Sequence, residues 1–133
     1  IKDVINSKVK YRESFRPFAP SILKHRQEEY FPTDVFSPYM SFAIKAKSDI
    51  VEKIPAVIHA DNTARLQSVS QEQDSFYFEL ISEFENEHGI PLLLNTSFNI
   101  RGEPIVYTPK DAIDTFVKAN LDVLVMGSFM VKK

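Results

Sequence analysis

At 133 residues, with 44% hydrophobic and 26% charged side chains, the chain has the size and composition of one ordinary globular domain. Zero cysteines exclude disulfides, thiolate metal sites and a cysteine nucleophile, and a net charge of -2 supplies no basic field of the kind nucleic-acid binding draws on. Three glycines, Gly89, Gly102 and Gly127, are too scattered for a Walker loop or a dinucleotide fingerprint, so side chains would have to hold any nucleotide. No apolar run approaches the roughly 20 residues of a membrane span, and no signal-peptide pattern opens the chain. The expectation is a cytoplasmic protein. Because the chain begins at Ile1 inside a helical pattern, it is also expected to be a piece of a longer one.

Residues 1–9 carry apolar side chains near the helical period and turn cationic at Lys8 and Lys10, as a helix C-terminus does. Pro17 and Pro20 forbid helix in residues 11–20 and leave an extended, aromatic-rich path, continued by a short strand over 21–24. Residues 25–38 read as a surface loop with one helical turn, and the alternation over 38–45 predicts a strand. Residues 56–60 and 64–69 form two β-leaning runs around Asp61-Asn62-Thr63. These are read either as a tight hairpin or as a straight segment with His59, Asp61, Thr63, Arg65 and Gln67 on one face. Residues 74–88 predict an amphipathic helix with Tyr77, Leu80, Ile81 and Phe84 inward, stopped by Gly89. The strand Leu92-Leu93-Leu94 follows and ends in Asn95-Thr96-Ser97-Phe98-Asn99-Ile100-Arg101, polar groups at a strand's carboxyl end, where open α/β sheets place ligands. Thr108-Pro109-Lys110-Asp111 starts a helix whose inner face is Ala112, Ile113, Phe116 and Val117. Residues 122–126 and 128–131 are closing strands. The alternation of strands and helices in the second half predicts a single α/β domain, residues 1–133, built on a twisted mixed sheet flanked by helices.

Four constellations bear chemistry. In an extended segment Lys10 and Arg12 point the same way, as phosphate recognition requires, although the same pair also suits a solvated surface. Ser97 and Asn99 put a hydroxyl and an amide together, for a ligand or for turn chemistry. Arg65 lies amid Ala64, Leu66 and Val69, so its stem packs and its guanidinium needs an anion: Asp61, Glu103 or a ligand phosphate. His59 and Asp61 have metal-ligand chemistry but no second histidine at ligand spacing. The sum is rich in cations, hydroxyls and amides without nucleophile or metal cluster. Such sites hold anionic reactants and neutralise charge in the transition state, which favours phosphoryl or adenylyl chemistry.

Three motifs, Lys10-Tyr11-Arg12-Glu13-Ser14-Phe15-Arg16-Pro17-Phe18-Ala19-Pro20-Ser21, Ile54-Pro55-Ala56-Val57-Ile58-His59-Ala60-Asp61-Asn62-Thr63-Ala64-Arg65 and Leu94-Asn95-Thr96-Ser97-Phe98-Asn99-Ile100-Arg101-Gly102-Glu103-Pro104-Ile105, resemble the C-terminal domain of the O-carbamoyltransferases that include nodulation protein U and the cephamycin and tobramycin enzymes. Where that family usually has Asp-Gly, this chain has Asp61-Asn62. The resemblance implies a YrdC-like α/β fold that makes carbamoyl adenylate from carbamoyl phosphate and ATP, with Mg²⁺ on the phosphates. It implies an actin-like N-terminal domain, absent here, that carries its own metal and transfers the carbamoyl group to a hydroxyl. By the same resemblance Lys10 and Arg12 bind phosphates, Arg65 holds the phosphate or carbamoyl group, and Ser97 and Asn99 contact nucleotide, with Lys10, Arg65 and Ser97 the catalytic set. Arg16 and Arg101 sit in the same motifs. The rival expectation is a nucleotide-binding or interaction module without turnover. Double-stranded RNA, a ligand of some YrdC-like proteins, is disfavoured by the charge.

Overall fold

The computed structural model describes residues 2–11, 13 and 15–133 as a mixed α/β chain in two compact units, residues 17–96 and residues 1–16 with 97–133. In the larger unit the strands β1 (Ala19–Leu23), β4 (Gln67–Val69) and β5 (Leu92–Asn95) form a mixed sheet in the order β4-β1-β5. β1 runs parallel to β4 and antiparallel to β5, and all five of its residues are buried. Beneath it Leu23, Val69 and Ile81 pack with Tyr77, Phe78 and Leu93, which seats the helix Ser75–His88 on the sheet. Asp74 caps that helix by accepting from the Tyr77 amide, and Gly89, at φ 71°, closes it in the left-handed conformation that glycine adopts without strain. Leu80, expected inward, is 49% exposed, because the contact stripe runs through Tyr77, Phe78 and Ile81.

One predicted strand shrinks and another is replaced by a turn. Of residues 38–45 only β2 (Ala43–Lys45) is extended, since Pro38, Tyr39 and Met40 turn, with Met40 at φ 56°. Residues 56–60 are not a strand: Pro55 fits the first position of a helical turn and starts the 3₁₀ turn Pro55–Val57. The tight turn at Asp61-Asn62 is present, with Asn62 at φ 62° and the His59 amide donating to the Thr63 carbonyl, but β3 (Thr63–Arg65) pairs with β2 instead. At fully buried Leu66 the chain leaves the β2–β3 pair and enters the three-stranded sheet as β4.

In the smaller unit, Lys2–Val4 runs into a π-helical turn, Ile5–Val9, closed by the Lys10 amide donating to the Ile5 carbonyl. Buried Asn6 donates to the Arg16 carbonyl and ties that turn to the segment after it. The helix Pro109–Lys118 begins in a reciprocal cap between Thr108 and Asp111. It buries Ala112 and Phe116 against Leu124, with Phe98, Leu121 and Met126 around them. Ile113 and Val117, expected inward, lie on the adjoining stripe and are exposed. Leu124 belongs to the hairpin β6 (Val123–Met126) and β7 (Phe129–Lys132), whose turn uses Gly127 at φ 54°.

Candidate functional site

Within the smaller unit the π-helical turn ends at Lys10, whose side chain is only 5% exposed. Its ammonium donates to the carbonyls of Ser97 (2.8 Å) and Asn99 (2.7 Å) and to the Asn99 side-chain oxygen (2.7 Å), with the Ser97 hydroxyl at 3.4 Å. The loop is folded to receive it. The Ser97 hydroxyl donates to Asn99 Oδ1 (2.7 Å), Asn99 Nδ2 donates to the Glu103 carbonyl (2.9 Å), and the Glu103 amide donates to the Ile100 carbonyl across a turn in which Gly102 has φ 82°. Lys10, Ser97 and Asn99, selected from sequence, are therefore one hydrogen-bonded cluster. These four acceptors are all neutral oxygens, so the ammonium orders the loop while adding positive potential there.

This cluster forms one wall of a cavity of about 230 Å³, closed by Glu13, Arg16, Ile100, Arg101 and Gly102. Glu13 pairs with the Arg16 Nε at 3.0 Å and lies 3.9 Å from Arg101. Among the described residues three cations line the cavity with one carboxylate, and the arginine side chains are 53% and 67% exposed. The chemistry is of a kind that suits a phosphate or carboxylate, since exposed guanidiniums can fork onto paired oxygens. Sequence reasoning did not single out Glu13. Its i,i+3 spacing to Arg16 was the available signal.

The other predicted residues fall elsewhere. Arg12 lies outside the described residues. Arg65 is in the other unit, on β3, and its side chain is exposed rather than buried. Its register on a two-stranded edge points it to solvent while neighbouring Ala64 and Leu66 take the buried positions. Among the described residues it makes no ion pair, and the anions expected for it are otherwise engaged. Asp61 accepts from the Thr63 amide and hydroxyl, and Glu103 pairs with Lys118 at 2.9 Å. The Thr63 hydroxyl, then its amide, hold the Asp61 carboxyl below its ordinary value. His59 Nδ1 bonds the Thr63 hydroxyl (3.0 Å), so both members of the weighed metal pair serve the turn. Asn95 belongs to the larger unit, where its amide donates to Ser21 Oγ (3.0 Å) and Gln67 Oε1 (2.9 Å).

Residues 1–133 match the family model of the carbamoyltransferase C-terminus. The chain is 44% identical over 135 residues to nodulation protein NolO of Bradyrhizobium diazoefficiens, which covers 99% of this chain and 25% of that protein. It is 43% identical over 102 residues to nodulation protein U of Rhizobium tropici, 77% of this chain and 18% of that one. A Synechocystis protein described as uncharacterized is 40% identical over 153 aligned residues, 100% of this chain and 25% of its own length. The chain thus spans about a quarter of the curated relatives it matches.

Proposed function

The chain belongs to the carbamoyltransferase C-terminal family, and from that premise we propose that it forms carbamoyl adenylate from carbamoyl phosphate and ATP for transfer to a hydroxyl acceptor. The observation that supports this most is the Lys10–Ser97–Asn99 cluster beneath Arg16 and Arg101, an anion-holding wall built of groups with no nucleophile among them. Water takes the phosphoryl group of carbamoyl phosphate as inorganic phosphate and leaves carbamate. A carbamate oxygen then attacks the α-phosphorus of ATP and pyrophosphate departs. Both steps bring anions together, and fixed cations offset that repulsion.

In this reading Lys10 and Arg12 hold phosphates, Ser97 and Asn99 orient the nucleotide, and Arg65 serves the phosphate or carbamoyl group. Arg16 and Arg101, whose contacts with Glu13 are exposed, would fork onto an incoming anion. Mg²⁺ would come with the phosphates of ATP and supply charge neutralisation there. Among the described residues no three histidines or carboxylates gather as a metal cage, and Glu13 is the one carboxylate among the described residues that line the cavity. Transfer to the hydroxyl belongs to the further domain that the length of the relatives implies, and the setting is cytoplasmic. No helix among the described residues is long and apolar enough to cross a membrane.

The test is carbamoyl-phosphate-dependent ATP/pyrophosphate exchange by the full polypeptide that carries this chain. Exchange is expected to fall at least tenfold in Lys10→Ala and in Ser97→Ala, and undiminished exchange in both overturns the site. A nucleotide-binding module without turnover is the second reading, favoured by the engagement of the Lys10 ammonium with the loop. Calorimetry showing ATP binding by a polypeptide that gives no exchange would select it.

A further inference from the structure

The hairpin of the smaller unit is a sheet of two strands, and a sheet so narrow is marginal in water unless something covers it. Its segments, Val123-Leu124-Val125-Met126 and Phe129-Met130-Val131, are apolar without alternation, the pattern of strands buried on both faces. The helix Pro109–Lys118 packs on Leu124 and Met126 of β6. Every residue of β7 is exposed, Phe129 at 77% and Met130 at 71%, and among the described residues no strand pairs with its outer edge.

The register fixes which backbone groups lie open. The Lys133 amide donates to the Asp122 carbonyl, and Leu124 with Val131 and Met126 with Phe129 follow at steps of two, so these are the hydrogen-bonded pairs of the ladder. Between them, Met130 and Lys132 turn their N–H and C=O groups away from β6. Edges that stay free in solution are blunted by proline or by charge along their length. Here Phe129, Met130 and Val131 come first, and the lysine stands only at the far end.

We propose that β7 takes a third strand on this edge, supplied in cis by the polypeptide that precedes residue 1. Two observations choose this occupant. The matching family model is that of a carbamoyltransferase C-terminus and the matched relatives are about four times as long, so the greater part of such a polypeptide reaches this unit from its N-terminal side. Residues 1–16 share one compact unit with the hairpin, so a segment leading into Lys2 is tethered to the unit that carries the open edge. That tether gives it a high effective concentration against any second copy. Strand addition supplies main-chain partners for Met130 and Lys132, and apolar neighbours for Phe129 and Val131 on one face and Met130 on the other.

Hydrogen exchange on the full polypeptide that carries this chain is the first test. The amides of Met130 and Lys132 should exchange at least about 100-fold more slowly than in an unfolded chain, whereas an open edge leaves them near the unfolded rate. Met130→Pro removes a donor that β6 does not use, so it spares the hairpin and blocks the added strand. With Met130→Ala as the side-chain control, the proline should speed exchange at Lys132 at least about tenfold and lower the thermal midpoint further than alanine does. A photoreactive benzoylphenylalanine in place of exposed Phe129 identifies the occupant, and its crosslink should fall in the same chain, ahead of residue 1. The proposal is overturned if Met130 and Lys132 exchange at the unfolded rate in wild type, if the proline and alanine variants match, or if the crosslink joins two copies or stays within residues 1–133. None of these readouts involves ATP/pyrophosphate exchange, so this claim stands or falls apart from the reaction proposed above.

Discussion

Lys10→Met retains much of the buried stem and removes only the ammonium, so it isolates what that charge does for the loop over residues 97–103. Three of its contacts are 2.7–2.8 Å long. A hydrogen bond to a charged group contributes roughly 1.5–3 kcal/mol. Against that stands the cost of holding an ammonium at 5% exposure, several kcal/mol before compensation. Water can also reach exposed Ser97 and replace part of what is lost. The balance is a loss of about 2 kcal/mol in loop order, or about 30-fold in the local opening equilibrium. The assay is hydrogen exchange at the amides of Asn99 and Glu103, which bond the Ser97 and Ile100 carbonyls inside the loop. Both should exchange about 30-fold faster in the ligand-free variant. Lys10→Arg should restore only part of the protection, because a planar fork cannot gather acceptors around one point as an ammonium does. A lysine that only grips a ligand would leave these amides unaffected, and unchanged protection would refute the positioning role.

Three further outcomes test the packing and the cap. Thr108→Ala should lower stability by about 1 kcal/mol, seen as a thermal midpoint roughly 4 °C lower. The Thr108 hydroxyl, then its amide, hold the Asp111 carboxyl below the ordinary carboxylate value. The stability this adds is present above that ordinary value and lost as the pH falls through the depressed one. The advantage of wild type over Asp111→Asn should therefore shrink as the pH falls below the ordinary aspartate range of about 4, and a constant gap in thermal midpoints would contradict the cap. Ile81→Ala, at a fully buried position packed with Leu23 and Val69, should cost about 3 kcal/mol. Leu80→Ala, on the exposed neighbouring stripe, should stay within about 0.5 kcal/mol. Urea midpoints that reverse this order would refute the assignment of the helix face.

Local chemistry made the two long helices legible. Asp74 and Gly89 bracket one, and Thr108, Pro109 and Asp111 open the other, each acting within a turn of its own sequence. Inner faces were less legible, because apolar residues occupy two adjoining stripes in each helix and only the partner decides which is covered. Ile81 faces the sheet while Leu80 does not, and Phe116 meets Leu124 while Val117 stays outside. Strand extents followed the same logic. Alternation over residues 38–45 could not reveal that Met40 turns left-handed, nor could the β-leaning run over 64–69 reveal that it serves two sheets. Lys10, Ser97 and Asn99 were legible as chemical types, but their union depends on a contact 87 and 89 residues apart in sequence.

The cavity of the smaller unit divides its cations by how far each is already committed. Lys10 is held among oxygens of the protein and supplies a potential that needs no rearrangement when an anion arrives. Arg16 and Arg101 instead face Glu13, at contacts whose exposure makes each worth little on its own. In the proposed reaction an incoming phosphate would take over these guanidiniums at small cost, with Glu13 displaced from the arginines and the loop left standing on Lys10. The same arrangement explains why an ammonium rather than a guanidinium suits position 10. A compact charge can be surrounded by four neutral oxygens, whereas the forked side chains do their work where oxygens of a ligand can approach in pairs.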